Sequence, residues 1–159
     1  KRQCHNHTQG MVMAKASTLF EVLSQSKLDP DEMAFHMNND LNQTKTSGMF
    51  VTSIVGEYNL ITDEIRWVNA GHQPAVLRDE NGKYSQFESS APPLGVIKQK
   101  EKSIYITNKT KLNGSRFYAF TDGLSESLDD KGEEIGIEGS IEIIEKNFNT
   151  DTSLSLIHI

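Results

Sequence analysis

Gly48-Met49-Phe50-Val51-Thr52-Ser53-Ile54-Val55-Gly56-Glu57-Tyr58 is where the chain changes its hydrophobic period. Upstream of it, apolar residues recur at helical spacing. From Met49 onward they follow the two-residue repeat of strands. Met49 to Tyr58 is apolar on both alternating faces, which predicts a strand covered on both sides, in the middle of a layered sandwich.

Upstream, Val12, Ala16, Leu19, Phe20 and Leu23 make one apolar stripe, so a helix is expected from Gly10; residues 1–9 show no clear periodicity. A second helix has a strong start signal. Asp29 is placed to cap it, Pro30 takes its first position, and Glu32 completes a capping-box arrangement. Met33, Met37 and Leu41 mark its buried face, and Thr46-Ser47-Gly48 ends it.

Downstream, Thr62-Asp63-Glu64 turns the chain into a strand over Ile65 to Asn69. Pro74 to Arg78 and Lys83 to Phe87 read as a hairpin around Asp79-Glu80-Asn81-Gly82, because Asn-Gly favours tight hairpin turns. Ser103 to Thr107 alternates like a strand, Asn113-Gly114 turns into another at Arg116 to Thr121, and a last helix is expected from Glu138 to Asn147 with Ile141, Ile144 and Phe148 on one side. Helices and strands are segregated rather than alternating. That order predicts an α+β layered domain and argues against a doubly wound parallel sheet.

Composition narrows the function. The chain has 159 residues, 16 Lys plus Arg against 22 Asp plus Glu, and a net charge of −6. One domain fits that length. An acidic chain without a basic face is a poor nucleic-acid binder, so no nucleic-acid partner is expected. No apolar run approaches the roughly 18 residues of a membrane span, so this segment is expected to make no membrane contact. The single cysteine, Cys4, excludes an internal disulfide and a cysteine zinc cluster. There is no Walker loop, no dinucleotide fingerprint and no Gly-x-Ser-x-Gly elbow.

Two stretches carry candidate chemistry. In Phe117-Tyr118-Ala119-Phe120-Thr121-Asp122-Gly123 an apolar strand ends in an acid followed by glycine. Asp122 would be a rigidly held oxygen ligand for a hard cation, and Gly123 would allow a sharp turn and close ligand approach. The alternative is a plain Asp-Gly turn. In Val68-Asn69-Ala70-Gly71-His72-Gln73-Pro74, either Asn69 or His72 points at a ligand, or the segment is a side-chain-capped strand connection. His5 and His7 have no third ligand nearby in sequence. Asp129-Asp130 and Glu133-Glu134 read as a solvated loop face.

Taken in order, several segments resemble the SpoIIE/RsbU-like branch of the metal-dependent (PPM-type) protein Ser/Thr phosphatases. They are Gly10 to Lys15, Asn38 to Leu41, Met49 to Thr52, Asn69-Ala70-Gly71-His72 with Gln73-Pro74, Pro92-Pro93-Leu94-Gly95, Thr121 to Glu126, and Gly132 to Gly136. The resemblance implies two antiparallel sheets packed face to face with helices outside, an αββα sandwich. It implies hydrolysis of phosphoserine or phosphothreonine on a protein, with two Mn²⁺ or Mg²⁺ ions. Asp122 matches the metal-binding, catalytic Asp of the family's Thr-Asp-Gly motif; Gly123, Asn69, Gly71 and His72 are expected beside the site.

The substrate class implied is a phosphorylated anti-anti-sigma-type regulator, with a sensory or receiver domain upstream. The implied location is cytoplasmic, in a parent protein that could itself be membrane-anchored. The family's first motif should fall on Lys1 to Asn6, where only His5 agrees; Lys1 stands at the metal-binding Asp and Cys4 at a glycine. The family also ends with an Asp-rich strand holding another metal carboxylate, and the sequence is expected to stop before it. The expectation is therefore a fragment: residues 1–9 a suspect or disordered start, 10–150 a partial phosphatase domain, 151–159 a suspect non-native tail. The fragment itself is expected to be inactive. A non-catalytic pseudophosphatase that binds a phosphoprotein or partner is the alternative.

Overall fold

The structure is a computed structural model that describes residues 2–43 and 49–148, with side chains from 10 to 43 and 49 to 147. The proposed helix end at Thr46 to Gly48, Lys1 and the 151–159 tail lie outside the described residues. The chain divides into two compact units, 1–119 and 120–159.

The first unit opens with helices α1 (Arg2–Ser24) and α2 (Pro30–Gln43). It continues with strands β1 (Ser53–Asn59), β2 (Glu64–Ala70), β3 (Ala75–Arg78), β4 (Tyr84–Phe87), β5 (Asn108–Lys111) and β6 (Arg116–Tyr118). One antiparallel sheet has the order β1-β2-β5 and the other β4-β3-β6. The α+β class and the two antiparallel sheets stand as expected.

Strand β2 shows why the sheets form layers. Its Val68 and Ala70 join Ala16, Met33, Ala34, Met37, Leu41 and Val55 in one apolar core, so this face packs under the helices. Its other face carries Trp67, whose ring meets Phe87 of β4 at 5.1 Å and Phe117 of β6 at 5.0 Å, both inclined. Each such aromatic pair adds about 0.5–1.5 kcal/mol beyond area burial. Residues 67 to 70 are all buried, so β2 is the strand covered on both sides.

That corrects the expectation for Met49 to Tyr58. The strand proper is Ser53–Asn59; it lies at a sheet edge and buries only Val55. Apolar residues on both faces did not make it central, because its pairing leaves its last four residues exposed.

Other boundaries moved. α1 begins at Arg2, well before the apolar stripe, and Phe20 of that stripe is exposed. Of the positions assigned to the first family motif, residues 2–6 therefore fall inside α1 rather than before a helix. Ser103 to Thr107 is not a strand: residues 102–104 form one 3-10 turn, and the strand follows at Asn108–Lys111. Tyr105 sits there 2% exposed, an aromatic taken into the core at a turn.

The capping of α2 is half as expected. Glu32 reaches back to accept from the Asp29 N–H at 3.4 Å, and Met33 N–H donates to the Asp29 carbonyl at 2.9 Å. The Asp29 carboxylate does not cap. It accepts from Arg66 of β2 at 2.7 Å, and Arg66 also donates to Glu57 at 2.9 Å. The arginine beside it holds the Asp29 carboxyl below the usual range.

The second unit holds α3 (Asp122–Ser125), a tight loop closed by a bridge between Leu128 and Glu134, and α4 (Gly136–Phe148). In α4, Ile141 is fully buried and Ile144 half-buried. Among the described residues no helix is long and apolar enough to cross a membrane.

Candidate functional site

Asn69 lies within the buried stretch of β2 and is itself fully buried. Its side-chain amide donates to the Gln73 carbonyl at 3.0 Å, and its side-chain oxygen accepts from His72 N–H at 2.9 Å. Both ends of the amide are thus spent on closing the loop to β3, which is how a short polar side chain replaces backbone pairing in a turn. The segment has the geometry of a side-chain-capped connection. His72 is half-buried, and its Nδ1 lies 3.3 Å from the Gln73 carbonyl.

Gly71 follows from the same loop. Its φ is +70°, and a Cβ there would meet Pro93 Cγ at 2.4 Å, Cδ at 2.6 Å and N at 2.8 Å. Gly71 N–H donates to Ser89 Oγ at 2.7 Å, and that hydroxyl lies 2.9 Å from the Ala91 carbonyl, which it can donate to. So glycine is required twice here, by backbone handedness and by the proline against it.

The neighbouring segments converge on the same junction. Val51 and Leu94 exchange backbone hydrogen bonds at 2.9 and 2.8 Å. Gly95 N–H donates to Asn38 Oδ1 at 2.9 Å. Four of the stretches that carry the resemblance, around Asn38, Val51, Asn69 and Leu94, therefore interlock in the first unit. Their residue types serve loop closure.

The second unit presents Asp122. It is the first residue of α3, exposed, and among the described residues of its unit its carboxylate has no hydrogen bond or ion pair. Strand β6 has already ended at Tyr118, so Asp122 does not stand at an abrupt strand end as expected. Its carbonyl accepts from Glu126 N–H at 2.8 Å, closing the single helical turn. Gly123 has no positive φ, and a Cβ there would meet only Thr121 Oγ1 at 3.8 Å. No sharp turn requires it, contrary to expectation; what it leaves is open space beside Asp122.

The acidic run after Leu128 has a structural account in part. Asp129 Oδ1 accepts from Lys131 N–H at 2.8 Å and from Glu133 N–H at 3.0 Å. Those backbone donors hold its carboxyl below the usual range. Asp79 closes the β3–β4 turn with the same two bonds, to Asn81 N–H at 2.9 Å and Lys83 N–H at 2.8 Å. Asp129 is thus a turn residue.

Among the described residues, no group of three or more His, Cys, Asp or Glu side chains is placed to hold a metal ion. The donor set does not fit a complete binuclear centre. Asp122 offers one carboxylate, and hard divalent ions take several oxygen ligands.

Sequence reading missed Asn42 and Ser89, and took Asn38 and Asn39 only as part of the resemblance without a role; all four hold this junction. A signal was present: three asparagines within five positions of a helix interior are unfavourable unless their side chains have work to do.

Comparison with known proteins gives consistent matches. The family model described as stage II sporulation protein E (SpoIIE) matches residues 5–158. Protein IcfG of Synechocystis sp. (strain ATCC 27184 / PCC 6803 / Kazusa) is 23% identical over 124 residues, covering 76% of this chain and 19% of the relative. Phosphoserine phosphatase RsbP of Bacillus subtilis (strain 168) is 23% identical over 126 residues, covering 77% of this chain and 31% of the relative. The chain thus spans a fifth to a third of the length of these curated relatives. In a crystal structure of the RsbU and RsbW domains of Rv1364c from Mycobacterium tuberculosis, 37% of that chain superposes on 88% of this one. The TM-score is 0.64 at 21% identity, a likeness of fold.

Proposed function

This chain belongs to the SpoIIE family, the SpoIIE/RsbU-like branch of the PPM-type phosphatases, and on that premise we propose that its full-length protein hydrolyses phosphoserine or phosphothreonine on a regulatory protein. What carries the reading is Asp122. It is an exposed carboxylate without a partner among the described residues of its own unit, inside the Thr121-Asp122-Gly123 segment that the resemblance assigns to metal binding. Gly123 supports it by leaving room beside that carboxylate.

The proposal includes dependence on Mn²⁺ or Mg²⁺ and a phosphorylated anti-anti-sigma-type regulator as substrate, as the resemblance implies. It puts the working protein in the cytoplasm. Asn69 and Gly71 act through the shape of their loop rather than by touching substrate, because both ends of the buried asparagine amide bond the loop's own backbone. The 159-residue chain alone turns over little or nothing, since its described residues offer no grouped set of acidic ligands.

That same donor set favours a second reading, a module that binds a phosphoprotein without cleaving it. Phosphate release from a phosphoserine peptide, measured with and without Mn²⁺ on the full-length protein and on the 159-residue chain, decides between them. Metal-dependent release by the full-length protein alone is expected. A full-length protein that binds the phosphopeptide but releases no phosphate would establish the binding module instead.

A further inference from the structure

Between Leu94 and the 3-10 turn at residues 102–104, the chain runs as a strap along α2. Its attachments are side chains of that helix. Gly95 N–H donates to Asn38 Oδ1 at 2.9 Å, and Asn42 donates to the Gly95 carbonyl at 3.0 Å. Asn38 donates to the Ile97 carbonyl at 3.1 Å. Asn39 takes Gln99 by both backbone groups, accepting from its N–H at 2.9 Å and donating to its carbonyl at 3.1 Å. Further along, Lys102 donates to Glu32 at 2.8 Å and lies 3.4 Å from Asp31. Residues 42, 39 or 38, and 32 or 31 recur at helical spacing, so the attachments follow one side of α2 from its end to its start.

Among the described residues, every hydrogen bond from the backbone of residues 95–99 to another element goes to an asparagine of α2. The bonds that bracket the strap are the Val51–Leu94 pair on one side and Tyr105 N–H to the Lys102 carbonyl on the other. The strap's outer side carries Val96 at 44% exposure and Ile97 at 61%, followed by exposed Lys98 and Lys100.

We infer that α2 and the strap are one moving part, so that a displacement of α2 carries the exposed Val96-Ile97-Lys98 segment with it. A loop normally opens independently of the helix beside it, because its backbone is tied to water or to itself. Here the ties are three helix side chains, and five hydrogen bonds must break before the loop and the helix can part. A helix shift of an ångström or two is small for the loop's own backbone, so the bonds are kept and the loop follows. The outcome is mechanical: an input applied to α2 is delivered to an apolar and basic surface segment that α2 does not itself contain. This inference does not depend on phosphatase activity.

Amide hydrogen exchange on the 159-residue chain tests it, read residue by residue by NMR with increasing denaturant. In the native sequence the Gly95 and Gln99 amides should exchange at least about 100-fold slower than in an unstructured peptide, and their exchange should merge with that of Met37 and Leu41 as denaturant rises. Asn39→Ala should speed Gln99 exchange at least about tenfold and leave Val68, in the sheet core, unchanged. Asn39→Asp keeps the acceptor for Gln99 N–H and should hold its exchange within about threefold of the native rate. A Gln99 amide that exchanges freely while Met37 and Leu41 stay protected overturns the inference. So does equal loosening of Gln99 and Val68 in Asn39→Ala, which would make the asparagine a general stabiliser. Should Asn39→Ala fail to fold, the native and Asn39→Asp profiles still decide.

Discussion

Replacing Asn69 with alanine tests whether this residue closes its loop or faces a ligand. The native side chain satisfies two backbone groups, His72 N–H at 2.9 Å and the Gln73 carbonyl at 3.0 Å, from a position with no solvent exposure. Alanine leaves both without that partner. Each backbone polar group left unpaired costs about 1–3 kcal/mol, and His72 and Gln73 are half-buried, so water recovers part of the loss. A net destabilisation of about 2–4 kcal/mol follows, a large fraction of a typical domain's stability. Urea unfolding followed by Trp67 fluorescence is the assay, since that indole lies between Phe87 and Phe117 in the sheet interface. The midpoint should fall with the slope unchanged. Aspartate at 69 should be at least as damaging as alanine, because it keeps the acceptor but buries a charge that cannot donate to Gln73. A loss below about 0.5 kcal/mol in Asn69→Ala would refute the loop-closing account and return Asn69 to a ligand-facing role.

Three further outcomes follow from the same contacts. Gly71→Ala should cost about 2–5 kcal/mol in the same urea assay, summing left-handed backbone strain and overlap with Pro93, whereas Gly123→Ala should stay within about 0.5 kcal/mol. Tyr105→Phe should be neutral or stabilising by about 1 kcal/mol in thermal unfolding, because the buried hydroxyl has no hydrogen-bond partner among the described residues. Burial pushes the Tyr105 hydroxyl up to about 12 from 10, so the folded chain holds that proton more tightly than the unfolded one. Its contribution is therefore complete below pH 10 and is lost as pH rises from 10 to 12, and Tyr105→Phe should flatten that part of the stability–pH curve.

Much of the fold was legible because burial leaves a periodic trace. Met33, Met37 and Leu41 are indeed the buried face of α2, and the hairpin around Asp79-Glu80-Asn81-Gly82 has its turn closed by the Asp79 carboxylate. What was not legible depends on pairing order. Met49 to Tyr58 and Ile65 to Asn69 look alike as apolar runs, yet β2 is central and β1 is an edge, which follows from β5 returning to pair with β2. No local pattern encodes that return. Tyr105 was drawn into a strand by alternation although it anchors a turn, since a core contact fixes one residue without fixing its neighbours' backbone.

The candidate site divides in the same way. Asn69, Gly71 and their partners at Asn38 and Leu94 could be picked out as motifs, because small and amide residues in unusual positions signal something required. The motif could not say whether the requirement was chemical or architectural. Pro93 against Gly71 and the committed amide of Asn69 make it architectural for those two. Asp122 is the opposite case. Among the described residues of its unit nothing bonds its carboxylate oxygens, and no turn demands Gly123, so the pair lacks an architectural reason there.

That contrast makes Asp122→Asn in the full-length protein the most direct measurement: Mn²⁺-dependent phosphate release from a phosphoserine peptide, across a manganese titration. The substitution keeps shape and removes the charge a cation needs. Unfolding midpoint should not move, while turnover at fixed Mn²⁺ should fall at least about 100-fold, beyond what perturbing a ligand's support alone costs. Turnover within about threefold of the native protein, at unchanged manganese dependence, would contradict the assignment of Asp122 and with it the proposed chemistry.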